Sequence, residues 1–423
     1  ARSWIRDGSL TSEALLRLGQ GGVARSFLLW FSGYQGEDGR VPCCVDARGA
    51  DGVPENDSHG QLLFLIAETV RYTRDRGLAA RMWPHVVSAV SFLDALRQKR
   101  RTPEYETEGK RVFYGLLPES ISHEGYSAKP MHSYWDGFFG LRGLKDAVFL
   151  AEFLGKADEA RAFATIRDEF AADLHASIRL VMERHGIDYL PGCAELGDFD
   201  ATSTTAALSP GGEAARLPRA ALVRTFERYL ENLAKREAGE GDSYTPYEWR
   251  NVGALVRLGR REEALRVAES LLRDLRPAEW NQWGEVVWRD PRTPKFIGDM
   301  PHTWVGSDFA RSFLDLFAYE REEDSSLVVG AGLPERWVRS ERGVSVKGLG
   351  TPYGPLDVSL AAAGTGVRVR LAGLRALPPG GLVVRPPPPA IRRTATVAAR
   401  PLPLSPAGGV VLPPLPAEVV VRP

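Results

Sequence analysis

Apolar side chains recur every three or four positions along most of the chain, which is the rhythm of helices with one buried face. The clearest run lies at 158–186, where Phe163, Ile166, Phe170, Leu174, Ile178 and Val181 keep this spacing. A second run, "SHGQLLFLIAETVRYTRD", opens with Ser58 and has Gln61 three positions later, the spacing of a capping box. We therefore predict a helix in each stretch, the second capped by Ser58.

Neighbouring helices are joined by a recurring turn. The segment "LGKADEA" at 154–160 is echoed by "LGRREEA" at 258–264. In both, a Gly stands where helix ends adopt positive φ, and acidic residues open the next helix. The echo predicts repeated helical hairpins, arranged as an open solenoid or as a closed double ring. Long aromatic and acidic loops between the hairpins favour the closed ring, with a site at one end.

The period changes to two residues at about position 323. "GVSVKGL", "PLDVSLAA" and "GVRVRLAGL" alternate apolar with polar residues, as strands with one buried face do. Pro and Gly also become frequent, as in "PYGP" and "RPPPP". We predict a mainly α-helical domain at 1–322 and a small antiparallel β-sandwich at 323–423.

Composition excludes several classes of function. Lys and Arg together number 54, as do Asp and Glu, so the chain of 423 residues has no net charge to attract nucleic acid. Three cysteines are too few for a disulfide framework, and we expect adjacent Cys43 and Cys44 to be an ordinary reduced pair. An apolar run long enough for a membrane span is missing. "ARSWIRDGSL" has neither the composition of a signal peptide nor an initiator Met, so we expect a piece of a longer protein, and the sequence indicates neither compartment nor oligomeric state.

Aromatic, acidic and His residues gather in five segments between the apolar runs. An Arg–Asp pair beside an indole can bind vicinal hydroxyls while the ring stacks on the C–H face of a sugar. The candidate sugar-binding residues are Trp4, Arg6, Asp7, His59, Glu119, His123, Tyr134, Trp135, Glu195, Asp200, Glu248, Trp283, His302 and Trp304. Asp198 and Asp200 lack the further ligands of a metal site, so we predict no metal and no organic cofactor.

Acetal hydrolysis needs two carboxyl groups on opposite sides of the scissile bond. Glu285, between Trp283 and Trp288, supplies one of them. The other comes from the segment at 116–144, where the choice among Glu124, Asp136 and Glu119 stays open. Nucleophile elbows, phosphate-binding Gly loops and zinc-protease motifs are missing, which leaves the carboxylate pair as the best-supported chemistry.

Several motifs resemble those of the six-hairpin glycosidases, above all the glucoamylase-like and α-L-rhamnosidase-like enzymes. "WIRDG", "DFDATST" and "WGEVV…PHTWVGSDF" are similar to glucoamylase-like motifs, "YWDGFFGLRGL" to a trehalase-like one, and "TPYGPLDVSL" to a strand motif of rhamnosidase-like chains. The resemblance implies an (α/α)₆ barrel and an inverting glycoside hydrolase, with Glu285 as general base. Glucoamylase-like spacing favours Glu124 or Glu119 as general acid, whereas trehalase-like spacing favours Asp136.

Inversion predicts carboxyl groups roughly 6.5–9.5 Å apart. Three rival interpretations accompany this one. A polysaccharide lyase on the same toroid would draw on Tyr126, His123, Arg250 and Asn251. A glycan-binding protein without catalysis would keep the Trp-rich cleft, and a purely helical scaffold would not need Trp beside acids. The expected partner is a carbohydrate of unspecified sugar and linkage.

Overall fold

A computed structural model describes residues 2–123, 125–275, 278–293, 300–387, 394–397, 400–402, 409–412 and 416–422. These residues group into two compact units. One unit consists of Ala1–Glu13 with Gly21–Glu240, and the other of Ala14–Gln20 with Gly241–Pro423. The division into domains at 1–322 and 323–423 stays a prediction.

The first unit is built mainly from helices. Their bounds are α1 Ile5–Arg17, whose last turn belongs to the second unit, α2 Gly21–Phe31, α3 Asp57–Thr73, α4 Arg76–Gln98, α5 Tyr134–Leu154, α6 Ala157–His185, α7 Ala201–Leu208 and α8 Arg219–Glu237. A small antiparallel sheet lies before α3, with strands in the order β1 (Ser3–Trp4), β2 (Cys44–Asp46) and β3 (Gly49–Ala50). The core consists of apolar side chains from the facing sides of α3, α5 and α6.

The periodic run at 158–186 forms α6, as predicted, and buries Phe163, Phe170 and Leu174. The two recurring turns are also confirmed. Gly155 ends α5 with φ +77°, and Gly259 follows the helix at 249–257 with φ +80°. Glycine adopts this left-handed conformation without the steric penalty of a Cβ.

The predicted capping box at Ser58 is wrong. Helix α3 begins one residue earlier, at Asp57, and is preceded by Asn56. Ser58 lies inside the first turn and is fully buried. Gln61 reaches across to α1, where its Oε1 accepts a hydrogen bond from the Ser9 hydroxyl. The Gln61 side chain, which the local sequence pattern assigned to the helix cap, therefore bonds to the neighbouring helix instead.

The second unit combines short helices with sheets. Its helices are α9 Trp249–Arg257, α10 Arg261–Leu272, α11 Thr303–Asp315 and α12 Glu335–Val338, and a short ribbon pairs β4 Ser243–Tyr244 with β5 Val287–Trp288. A four-stranded sheet has the order β14-β11-β7-β6, with β6 Ala318–Arg321, β7 Ser326–Val329, β11 Leu382–Val384 and β14 Val410–Val411. A six-stranded sheet has the order β13-β12-β15-β10-β9-β8, with β8 Val344–Leu349, β9 Leu356–Ala363, β10 Gly366–Ala372, β12 Thr394–Val397, β13 Arg400–Pro401 and β15 Ala417–Arg422.

The three alternating segments of the sequence form β8, β9 and β10, as predicted. Alternate residues of β9, such as Leu356, Val358 and Leu360, are buried, which is the pattern of a sheet with one covered face. Within the described ranges, no helix is both long enough and apolar enough to cross a membrane.

Candidate active site

Arg6 is buried at the start of α1 among groups of its own chain. Its Nε lies 3.0 Å from Oδ2 of Asp57, it forms an ion pair with Glu55, and its Nη2 donates to the carbonyl oxygen of Ser122 at 3.1 Å. The indole of Trp4 lies 6.0 Å from the guanidinium. Internal carboxylates therefore balance the positive charge of Arg6.

Asp7, the neighbour of Arg6, is half-buried on α1. Burial works to lower the pKa of Arg6, but the charges of Asp57, Glu55 and then Asp7 outweigh it and raise that pKa above its ordinary value. Asp7 thus contributes to the negative potential around Arg6. The hydrogen bond from Arg6 to Asp57 joins residues 51 positions apart, and the sugar-binding roles of Arg6 and Asp7 stay predictions.

Helices α3 and α5 approach each other closely where the first turn of α3 lies against the second and third turns of α5. A Cβ placed on Gly60 would come within 2.0 Å of the carbonyl oxygen of Phe139, and one on Gly143 within 2.6 Å of the Gly60 Cα. Only glycine at both positions permits this contact. The contact places Asp57 and Asp136, each in a first helical turn, on neighbouring helix N-termini, where backbone N–H groups favour negative charge.

Asp136 is a buried carboxyl group with 1% of its surface exposed. Ser120 Oγ donates to its Oδ2 at 2.5 Å, and Ser122 Oγ donates to its Oδ1 at 2.8 Å. Burial, followed by the negative charge of Asp57, raises the pKa of Asp136 to about 7, although the serine bonds and Arg6 act in the opposite direction. A substantial fraction of Asp136 therefore carries its proton at neutral pH.

The ring of Trp135 contacts both Asp57 and His123, which lies in the segment before α5. Its Nε1 donates to Oδ2 of Asp57 at 2.8 Å, and the imidazole of His123 stacks on the indole at 5.1 Å with an interplanar angle of 13°. His123 Nε2 lies 2.6 Å from the hydroxyl of Ser203, whose backbone N–H is capped by Asp200. Burial works to raise the pKa of Asp200, but bonds from His123 and Ser203 lower it below the usual range.

Glu119 belongs to a charged network at the edge of this loop. It forms an ion pair with Arg100, whose Nε donates to His132 Nε2 at 3.1 Å. The other ring nitrogen of His132 lies 2.6 Å from Oε1 of Glu195. Burial works to raise the pKa of Glu119, but a backbone bond, His132 and Arg100 lower it below the ordinary value. The pKa of Glu119 is thus shifted in the opposite direction from that of Asp136.

Two candidate residues of the first unit have structural partners. Tyr134 is fully buried, with its hydroxyl 2.8 Å from that of Ser177. His59 is buried beside Phe92, and its Nδ1 accepts the backbone N–H of Val41 at 3.1 Å. Burial lowers the pKa of His59 to about 4, so the ring is neutral. These contacts support the loop scaffold rather than an exposed sugar-binding surface.

Glu124 lies outside the described residues, so its placement as a candidate acid stays a prediction. Cys43, Cys44 and Asp51 form the one group with metal-ligand spacing found among the described His, Cys, Asp and Glu side chains. None of these three is a candidate sugar-binding or catalytic residue.

Glu285 lies in the second unit, two residues before β5. The Tyr247 hydroxyl donates to its Oε1 at 3.0 Å, and His302 Nε2 lies 3.9 Å from its Oε2. The pairing of Tyr244 with Val287 anchors the segment that carries Glu285. The Glu285 side chain is 30% exposed, so its carboxylate is positioned by Tyr247 and is still accessible to water.

Two tryptophans near Glu285, Trp283 and Trp304, are both largely buried and have different aromatic partners. Trp283 is buried against Trp249, with its Nε1 bonded to the carbonyl oxygen of Leu271 at 3.0 Å, and so belongs to the core. Trp304 also has little exposed surface, and its ring lies 4.1 Å from that of Tyr247.

Glu248 is buried in the short 3₁₀ turn at 246–248 that carries Tyr247. Arg250, which begins the following helix with Trp249, lies over the rings of both Tyr247 and Trp304 and pairs with Asp308 at 3.1 Å. Aromatic and charged side chains thus hold the Tyr247 hydroxyl that contacts Glu285.

The local sequence did not reveal every residue of these clusters. Glu55, Ser120 and Ser122 contact Arg6 or Asp136 without having been candidates. The two serines stand two positions apart in "ESIS", a spacing that puts side chains on one face of an extended segment. The spacing does not indicate which group they contact. Their common partner could be found only from the tertiary contacts.

Comparisons with known proteins show the fold. No family model matches the chain, and no curated protein matches it. Solved structures do match. The α-L-rhamnosidase from Dictyoglumus thermophilum is 12% identical with a TM-score of 0.62, covering 99% of this chain and 45% of that one. The family GH78 rhamnosidase of Bacillus sp. GL1 is 15% identical with a TM-score of 0.57, covering 91% and 39%.

The α-L-rhamnosidase of Streptomyces avermitilis, complexed with L-rhamnose, is 13% identical with a TM-score of 0.56. The match covers 99% of this chain and 38% of that one. The chain thus spans less than half the length of these solved proteins. The prediction of an (α/α)₆ barrel with a β domain is confirmed, and so is the resemblance to the six-hairpin glycosidase fold.

Proposed function

We propose that this chain is a glycoside hydrolase that uses Asp136 as general acid and Glu285 as general base. The observation that carries the proposal is the environment of Asp136, a buried carboxyl group next to the charge of Asp57. A general acid must hold its proton near the working pH, and burial raises the pKa of Asp136 to about 7. Glu119, the other described candidate, has a lowered pKa and is bound to Arg100.

Each proposed role follows from the local chemistry. Asp136 donates its proton to the leaving oxygen as the glycosidic bond breaks. Glu285 accepts a proton from water, which attacks the opposite face of the sugar and inverts the anomeric configuration. Tyr247 and His302 orient Glu285, while Arg6 and Asp57 set the charge around Asp136.

The substrate side of the proposal is a carbohydrate held by residues close to these acids. Trp4, His123, Glu195, Asp200 and His302 remain the proposed sugar-binding residues. Trp135 is fully buried and would act by positioning His123 and Asp57. The names of the solved neighbours make α-L-rhamnosides the first substrate class to test.

The lyase alternative receives less support from the same contacts. A lyase base has to lose a proton before it can remove one from a uronate. Burial and the nearby charges of Cys193, Asp198 and Asp200 raise the pKa of Tyr126 above its ordinary value. Its hydroxyl also donates to Asp198 at 3.0 Å. Tyr126 is therefore a poor base at neutral pH.

The test combines a substrate panel with two isosteric variants. On unactivated glycosides, Asp136→Asn and Glu285→Gln should each lower kcat/KM by about 10²–10⁴-fold. With a glycosyl fluoride, whose leaving group needs no proton, Asp136→Asn should retain most of its activity while Glu285→Gln stays impaired. Proton NMR of the fresh product should show the inverted anomer.

Exposed acids elsewhere in the chain provide control variants. Glu279→Gln changes an exposed acid near Glu285, and Asp168→Asn changes an exposed acid on α6. Both should keep full activity. Equal loss of activity on both substrates in Asp136→Asn would contradict the general-acid role. Sugar binding without turnover across the panel would instead support a non-catalytic glycan-binding protein.

A further inference from the structure

Two adjacent cysteines point to the same side of the chain. Successive side chains in an extended strand point to opposite faces. Cys43 lies in a bend directly before β2, and Cys44 is the first residue of that strand. The bend places the two sulfur atoms 3.6 Å apart, with both side chains buried.

The β2–β3 hairpin adds a carboxylate to this pair. Val45 pairs with Ala50 across the hairpin, and the backbone N–H of Asp51 then donates to the carbonyl oxygen of Cys44 at 2.9 Å. This register places Asp51 beside the thiols, and one ligating atom from each of the three residues lies within 4.8 Å of the others. Asp51 is 29% exposed, which provides a route from solvent.

The spacing fits a bound cation better than a covalent bond. A disulfide requires sulfur atoms about 2.05 Å apart. Two Zn–S bonds of about 2.3 Å at a tetrahedral angle separate the sulfur atoms by roughly 3.7–3.8 Å. We propose that Cys43, Cys44 and Asp51 bind a thiophilic divalent cation, with Zn²⁺ as its representative.

A cation at the proposed site would stabilise the local structure around β2. Trp4 of β1 pairs with Cys44, and the N–H of Ile5 donates to the carbonyl oxygen of Cys43 at 3.0 Å. A cation on the two thiolates would hold β2 and, through it, β1 and the start of α1. Arg6 follows directly, so the cation would stabilise the backbone that presents Arg6 to Asp57. The proposal does not depend on the glycosidase assignment.

The environment of the thiols opposes the loss of their protons. Burial and the charge of Glu55 raise the pKa of Cys43, and burial with the charge of Asp51 raises that of Cys44. Cation binding therefore has to displace both thiol protons against these shifts and should strengthen as pH rises. Two thiolates and one carboxylate leave the fourth tetrahedral position to water.

The experiment uses the full chain, reduced and freed of metal with a chelator. Zn²⁺ is added, the excess is removed by desalting, and the retained zinc and the thermal unfolding midpoint are measured. We expect one zinc per chain and a higher Tm. Cys43→Ser and Cys44→Ser should lose stoichiometric zinc, Asp51→Asn should bind more weakly, and Cys193→Ser, which changes a buried cysteine elsewhere, should match the parent.

A spectroscopic measurement on the unmodified chain tests the proposal even if the variants fail to fold. Co²⁺ added to the metal-free protein should give a thiolate-to-metal charge-transfer band, which Zn²⁺ removes by displacement. Zinc retained equally by the serine variants would overturn the proposal. So would the absence of both zinc retention and the cobalt band in the folded parent chain.

Discussion

At the scale of single residues, the environment separates carboxyl groups that look alike in the sequence. Glu119 and Asp136 belong to one short acidic and aromatic segment. Arg100 and His132 lower the pKa of Glu119 despite its partial burial, whereas burial and the charge of Asp57 raise that of Asp136 to about 7. The same residue class thus supplies an ionised group and a proton donor.

The stability of Asp136→Asn relative to the parent should increase between pH 5 and pH 8. The folded-state pKa of Asp136 lies above its ordinary value of 3.8, so its stabilising contribution is complete below that value and is lost as pH rises to about 7. The amide carries no such titration. Urea unfolding should therefore show the variant gaining on the order of 2 kcal/mol relative to the parent between pH 5 and pH 8.

The control for that measurement is Asp168→Asn, which changes an exposed acid. Its stability relative to the parent should be nearly constant over the same range. An Asp136→Asn difference that is equal at pH 5 and pH 8 would show that Asp136 has an ordinary pKa in the folded protein.

At the scale of elements, two glycines decide how the first helical turns meet. Gly60 on α3 and Gly143 on α5 lie face to face, so the helices can approach without intervening side chains. Nearer the helix N-termini, Trp135 of α5 donates to Asp57 of α3 across the same helix pair. The position of the proposed acid thus depends on the absence of two Cβ atoms.

Gly60→Ala should destabilise the protein by about 1–3 kcal/mol or more, because the new Cβ would meet a backbone oxygen at 2.0 Å. Catalytic activity should fall with it as α3 and α5 separate. Gly22→Ala on α2 is the matched control, since a Cβ there has open space. Thermal unfolding of both variants measures the difference, and equal midpoints would contradict the close-contact explanation.

At the scale of the whole molecule, the proposed acid and the proposed base are each supported by contacts within one compact unit. Asp136 belongs to the first and Glu285 to the second. The solved rhamnosidases share this fold at 12–15% identity, so the likeness supports the architecture and leaves the catalytic assignment to experiment. The predicted carboxyl separation for inversion stays a prediction.

Asp136→Asn and Glu285→Gln should be strongly non-additive on unactivated glycosides. Residues that serve one transition state act as a unit, so removing both costs little more than removing the more important one. The double variant should therefore lose about as much kcat/KM as the worse single variant. Losses that multiply would indicate that the two carboxyl groups act independently.

The sequence by itself determined the local elements. The three-to-four-residue period predicted α6, the repeated Gly turns predicted the helix ends at Gly155 and Gly259, and alternation predicted β8 to β10. These features depend on contacts among near neighbours, so a short stretch of sequence contains them. The resemblance of short motifs then predicted the (α/α)₆ barrel, which the solved folds confirm.

Only the tertiary structure decided which polar groups meet. Arg6 and Asp57 are 51 positions apart, and Asp57 and Trp135 are 78 apart. Trp283, predicted from the sequence to bind sugar beside Glu285, is buried in the core. Ser58, predicted to cap helix α3, lies inside its first turn. Burial and charge act through space, so the pKa that favours Asp136 over Glu119 arises only when distant helices bring their first turns together.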